Sequence, residues 1–185
     1  MNRTKRKIFN VAMKLFSEKG YDATSVEEIT AITGIAKGTL YYHFTSKEEI
    51  FNFLVEEGMK LLKNSIEIKI SKCDNVKDKI KAVMLIQVKA IVKYESVLTM
   101  IFSQMYGTEY RNKVCRDKVA EYVDVVQAII DEGVKSGEIK KCNSRFVAYT
   151  IFSLTSTIMM YKKQKEYSIA ELYRECELSI FDDIE

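Results

Sequence analysis

The sequence predicts an all-α protein of about nine helices, and three observations lead there. Proline is absent and glycine occurs only 7 times in 185 residues, so the chain has few residues that punctuate tight turns. Apolar residues make up 47% of the chain and recur three and four positions apart, the period of one helix face. The length suits one ordinary domain or two small ones packed together. A net charge of +3, from 29 basic and 26 acidic residues, is too small to make the whole surface attract nucleic acid, so any such binding must be local.

The first element is read from Ile8, Val11, Ala12, Leu15 and Phe16, an amphipathic stripe that Gly20 stops. Ahead of it Arg3, Lys5, Arg6 and Lys7 are expected to form a frayed, solvated start. Thr24, three residues before Glu27, has the spacing of a capping box, so a short second helix is expected through Val26, Ile29 and Ile32 to about Thr33. After Gly34 the pattern resumes from Ala36 to Phe44, with Leu40 and Phe44 on one face. Two short helices joined by a tight glycine turn are a helix-turn-helix.

At 100° per residue Gly38, Thr39, Tyr41 and Tyr42 fall on the side away from Leu40, where a solvated helix would carry Lys or Glu. Small Gly38 and Thr39 permit close approach to base edges; Tyr41, Tyr42 and His43 can donate to phosphates. Ser46 and Glu49 mark the next helix start, and Lys47 in its first turn could hold a phosphate together with the amide dipoles.

Residues 8 to 50 resemble the N-terminal DNA-binding domain of TetR-family transcriptional regulators. The resemblance rests on Phe16-x-x-x-Gly20-Tyr21-x-x-Thr24-Ser25-Val26-x-x-Ile29 and on the unbroken run Gly34-Ile35-Ala36-Lys37-Gly38-Thr39-Leu40-Tyr41-Tyr42-His43-Phe44-x-Ser46-Lys47-Glu48-Glu49. It implies a recognition helix at about Ala36 to His43 with base contacts near Lys37, Gly38 and Thr39. It also implies phosphate contacts from Tyr41, Tyr42, His43 and Lys47, with Thr24 or Ser25 contributing from the second helix. This segment carries four basic and six acidic groups, so its affinity must come from placement. The expected division is a DNA-binding domain over 1–46 and a helical ligand-binding and dimerisation domain over 47–185.

Beyond Lys47 the pattern runs unbroken through Ile50, Leu54, Met59, Leu62, Ile66 and Ile70, a helix that would join the reading head rigidly to the rest. Further helices are expected at Val76 to Tyr94, Ser96 to Tyr106, Glu109 to Lys135, Ser144 to Gln164 and Ser168 to Asp182. Gly107, the Gly133 to Gly137 segment and Lys140 to Asn143 supply the breaks. Resemblance to the family here is one of helix pattern and of Ile129-Ile130-x-x-Gly133-x-x-x-Gly137-Glu138-Ile139.

The penultimate helix is apolar on more than one side and must be covered all round, which a homodimer explains economically. In the family the last two helices commonly pair between subunits. Ile151, Leu154, Ile158, Tyr161, Leu172, Cys176 and Ile180 are therefore the expected interface. Met84, Val88, Met100, Met105, Tyr106, Tyr122, Tyr149 and Phe152 are the expected lining of a pocket for an unidentified small, largely apolar effector. A ligand among the central helices would tilt the helix from Lys47 and change the spacing of two recognition helices on a palindromic operator.

Other classes are excluded by inspection. Cys73, Cys115, Cys142 and Cys176 are 42, 27 and 34 residues apart, which fits neither a zinc site nor a disulfide framework, so they read as reduced, mostly core thiols. His43 is the single histidine, and it has no ligand partner at metal-binding spacing. No nucleophile motif or phosphate-binding glycine loop is present, so neither an enzyme nor a cofactor is expected. The 16-residue low-charge run Phe146 to Tyr161 is shorter than the roughly 20 residues a bilayer span needs. No signal peptide is apparent, and a cytoplasmic repressor is the leading reading. The alternative is a DNA-binding regulator without a small-molecule ligand, either an activator or a protein controlled by a partner.

Overall fold

A computed structural model describes residues 1–162 and 166–181. They form α1 (Arg3–Lys19), α2 (Val26–Thr33), α3 (Lys37–His43), α4 (Lys47–Ile70), α5 (Val76–Ser103), α6 (Tyr110–Ser136), α7 (Ser144–Lys162) and α8 (Ile169–Phe181), with no strand among the described residues. Helix α5 is broken at Tyr94, whose φ of −130° and ψ of 33° leave the helical region, so the eight spans amount to nine helical segments. Gln164 and Asp182, the expected ends of the last two helices, and the Ile180 side chain lie outside the described residues.

The chain folds as two compact units, Met1–Gly58 with Ser96–Lys118, and Met59–Glu95 with the rest from Val119. Helices α4, α5 and α6 each contribute residues to both.

In the first unit α1 buries Ile8, Phe9, Ala12, Leu15 and Phe16 on one face. Its start is not frayed, contrary to expectation. The Asn2 side chain accepts a hydrogen bond from the Lys5 amide at 2.8 Å, capping a helix that already runs from Arg3. Helix α2 packs against α1, and Val26 and Ile29 of α2, Leu40 of α3, and Ile50, Phe51, Leu54 and Val55 of α4 are all buried in the same unit. Aromatic rings join them: Phe16 and Tyr21 have centroids 5.3 Å apart, and Tyr21 meets Phe51 edge-on at the same distance.

The loop between α5 and α6 is organised by buried Asn112. Its amide donates to the Gln104 carbonyl at 2.8 Å and to Gln104 Oε1 at 2.9 Å, while its Oδ1 accepts from the Glu109 amide at 2.9 Å. A Cβ on Gly107 would lie 2.3 Å from Asn112 Oδ1, so only glycine lets the loop wrap this closely.

The second unit has its core among α5, α6, α7 and α8, where Val83, Met84, Val88, Ile91, Val119, Tyr122, Val123, Val126, Ile151, Phe152, Leu172 and Cys176 are buried. Gln87 Nε2 donates to the Ile151 carbonyl and to Thr155 Oγ1, each at 3.2 Å, tying α5 to α7. The segment expected to break α6 behaves differently at its two glycines. Gly133 is inside the helix, where Ile139 and Val76 leave no room for a side chain, and the helix ends at Ser136 before Gly137. Glu138 then accepts from the Val76 amide at 3.0 Å, holding the first turn of α5.

Candidate nucleic-acid interface

Helix α2 starts one residue later than the sequence reading placed it. Ser25 is the cap, its hydroxyl accepting from the Glu28 amide at 3.1 Å. Thr24 is buried, and its hydroxyl donates to the Gly20 carbonyl at 2.9 Å. Thr24 therefore fixes the α1–α2 turn, and of the two residues Ser25 is the one at the surface. The helix closes on Gly34, left-handed at φ 67° and ψ 21°, whose amide returns to the Thr30 carbonyl. An L residue with a side chain is disfavoured there, which is why a glycine makes the tight turn into α3.

Leu40 anchors α3 in the core of the first unit, and that single inward residue sets the rotation of the seven-residue helix. Lys37, Gly38, Thr39, Tyr41 and Tyr42 are exposed on the other side, Tyr42 to 85%, and His43 is half-buried. Tyr42 and His43 meet edge to face, with centroids 5.1 Å apart. Nothing would lie within 4 Å of a Cβ on Gly38, so this part of the helix is open to an approaching surface. The arrangement presents hydroxyl and imidazole donors around a small-residue centre, which suits a groove whose walls are phosphates and whose floor is base edges.

Lys37 is not free on this face. Its ammonium lies 2.5 Å from Glu27 Oε1 of α2. The hydrogen bond from Lys37 holds the Glu27 carboxyl below the usual carboxylate range, and the same bond raises Lys37. Glu27 was expected only as a capping residue. Glu27 stands two residues after the Ser25 cap and ten before Lys37, and no local spacing links it to that lysine.

Lys47 differs more from expectation. The Ser46 hydroxyl caps α4 by accepting from the Glu49 amide at 3.1 Å, as the spacing predicts. The Lys47 ammonium, however, turns back to the α1–α2 connection and donates to the carbonyls of Tyr21, Asp22 and Thr24 at 2.8, 3.3 and 2.9 Å. Its cation holds a loop of the same unit, so a phosphate would have to displace backbone acceptors to reach it. Arg111, which the sequence reading missed, approaches the same connection: its guanidinium lies 4.5 Å from the Tyr21 ring centroid and 3.8 Å from Asp22 Oδ1. Ninety residues separate Arg111 from Tyr21, and no local pattern links them.

The expected ligand-lining residues divide. Met84, Val88, Tyr122 and Phe152 are buried in the second unit, whereas buried Met100 and half-buried Met105 belong to the first. Tyr106 is 94% exposed and Tyr149 also faces solvent, so neither lines an interior site. The expected interface divides too. Ile151, Ile158, Leu172 and Cys176 are buried within the single chain and offer no surface to a second subunit. Leu154 is half-buried and Tyr161 is exposed. The outward apolar residues of α7 are instead Phe146 (71%), Tyr149, Met160 (72%) and Tyr161, joined on α8 by Ile169 and Leu178. Of the cysteines only Cys115 and Cys176 are buried; Cys73 is half-buried and Cys142 exposed. Among the described residues no helix is long and apolar enough to cross a membrane, and no three His, Cys, Asp or Glu side chains are grouped to hold a metal ion.

Residues 8–54 match the family model for bacterial regulatory proteins of the tetR family, and residues 73–174 match that for a tetracyclin repressor-like C-terminal domain. The fatty acid metabolism regulator protein of Bacillus subtilis is 27% identical over 136 residues, covering 72% of this chain and 70% of that protein. A solved structure from Clostridium perfringens shares 29% identity with a TM-score of 0.90, covering 97% of this chain and 98% of its own. The transcriptional regulator FadR of Bacillus subtilis, solved in complex with stearoyl-CoA, has a TM-score of 0.85 at 22% identity, covering 95% and 97% of the two chains. Since the two family models account for the helix-turn-helix and for more than half of the chain beyond it, the protein belongs to the TetR family of transcriptional regulators and is not an enzyme.

Proposed function

We propose that the protein is a cytoplasmic homodimeric repressor that leaves a palindromic operator when an acyl-CoA thioester binds its second unit. The observation that carries DNA recognition is the outward face of α3, where Gly38, Thr39, Tyr41 and Tyr42 are exposed around an inward Leu40. A dimer places two such helices on successive turns of a major groove, so the operator repeats in inverted orientation. The outward apolar residues Phe146, Met160, Ile169 and Leu178 support self-association through α7 and α8.

The effector class is supported by the similarity to the fatty acid metabolism regulator of Bacillus subtilis and by the stearoyl-CoA bound in the solved structure of FadR from that organism. The buried core of the second unit is dominated by aliphatic, Met and aromatic side chains, which suits an acyl chain. Such a ligand lowers operator affinity only by preferring the arrangement that does not bind DNA. By reciprocity, operator DNA then weakens the effector by the same factor.

The test is selection of bound fragments from genomic DNA, followed by titration of the purified complex with stearoyl-CoA. The expected result is an inverted repeat released by acyl-CoA at micromolar concentration or below. Recovery of fragments with no shared repeat would overturn the operator assignment, and a complex indifferent to acyl-CoA would overturn the effector class.

A further inference from the structure

Tyr122 is 1% exposed on α6, and among the described residues its hydroxyl has no hydrogen-bond partner. Its ring packs on Phe152 of α7 at a centroid distance of 5.4 Å. A phenylalanine would fill the same volume without burying an unpaired hydroxyl, so the group carries a desolvation cost that nothing in the folded chain offsets. The neighbouring polar group of this core is treated differently. Gln87 donates to both Ile151 and Thr155, and Thr155 is one helical turn along α7 from the Tyr122–Phe152 contact.

We propose that the Tyr122 hydroxyl is the polar contact of the effector site, donating to the acyl carbonyl of a thioester whose chain packs among the apolar side chains of the second unit. This rests on the acyl-CoA reading above and says which atom recognises which part of the ligand. A neutral phenol that burial keeps protonated can both donate and accept, and a carbonyl oxygen satisfies its donor side. Among the described residues no carboxylate or ammonium is buried. A free fatty acid carboxylate seated there would lack a counter-charge, and a cationic head would lack one too. An uncharged carbonyl satisfies the hydroxyl without that cost, which selects the thioester over the free acid.

The test is a two-by-two comparison of wild type and Tyr122→Phe with stearoyl-CoA and its S-octadecyl thioether analogue, which lacks the carbonyl. Wild type should bind the thioester about tenfold more tightly than the thioether, a hydrogen bond's worth of discrimination. Tyr122→Phe should bind both equally, at about the wild-type thioether affinity. Without ligand, the variant should melt no lower than wild type and should bind operator within about twofold of it. Equal thioester affinity in the two proteins would overturn the contact while leaving the acyl-CoA reading intact. A ligand-free variant that melts several degrees lower would also overturn it, because the hydroxyl would then have a partner in the empty protein. Wild type that binds neither compound would overturn the acyl-CoA reading itself, and the Tyr122 contact with it.

Discussion

Lys47 Nζ lies 2.8 Å from the Tyr21 carbonyl oxygen and 4.3 Å from the centroid of the Tyr21 ring. One cation thus holds both the backbone and the side chain of the residue that leads from α1 into the helix-turn-helix. The role is positioning, and it makes a prediction distinct from that of a phosphate contact. Lys47→Met should destabilise the first unit by about 1–3 kcal/mol and weaken operator binding by about tenfold. The slope of affinity against salt should match wild type, because no phosphate charge is lost. A slope flatter by about one unit in binding isotherms would place the ammonium on the DNA instead.

Glu27 restrains Lys37 on the recognition face, where the two groups are 2.5 Å apart. Because the Glu27 carboxyl is lowered in the folded chain, the pair's contribution is present above the ordinary carboxylate range and is lost as pH falls through the lowered value. The pair is therefore intact at neutral pH. Glu27→Gln should free the ammonium there, tightening operator binding by about three- to tenfold and steepening the salt dependence by about one unit. Weaker binding by the variant in a mobility-shift titration would mean that the pair orients Lys37 productively.

Tyr42 projects from α3 with little packing to lose, being 85% exposed. Tyr42→Ala should reduce operator affinity by about tenfold while leaving the melting temperature and helical content unchanged. Normal affinity at fixed salt would remove Tyr42 from the interface.

Burial pushes the Cys115 thiol up to about 12 and the Cys176 thiol up to about 11. The thiolate is the reactive species, so both should resist maleimide in the folded protein at pH 8, whereas exposed Cys142 reacts. Peptide mapping after brief labelling reads this directly. Rapid modification of Cys176 would show that α8 opens readily.

The outward and inward residues of the last two helices should separate assembly from stability. Phe146→Glu or Met160→Glu should shift sedimentation towards the monomer with the melting of the single chain little changed, since both residues are largely exposed. Leu172→Ala should cost about 2–5 kcal/mol of folding stability, because Leu172 is core. A variant at Phe146 that remains fully dimeric would move the interface off this face.

Much of the fold was legible because helix signals act over three or four residues. The spacing of Val26 and Ile29, the stop at Gly20 and the change of pattern at Tyr94 all report on backbone within one or two turns, and the structure has α2, the end of α1 and the break in α5 at those places. The capping misreading at Thr24 has a local cause as well. Thr24–Glu27 and Ser25–Glu28 share one spacing, and only the burial of Thr24 distinguishes them.

The sequence by itself determined the all-α architecture, the helix-turn-helix and the identity of the residues that α3 presents. Leu40 is the one large apolar residue within α3's inward face, so it could rotate only one way. Tertiary structure alone decided the distant contacts: the carbonyls that hold Lys47, the Tyr21 ring against Arg111 and the α7 acceptors of Gln87 lie between 23 and 90 residues away along the chain. It also decided which side of α7 is core. A helix apolar on several sides has no rotation written into its periodicity, and packing against α5 and α6 chose the face of Ile151, Phe152 and Thr155, leaving Phe146 and Met160 outside.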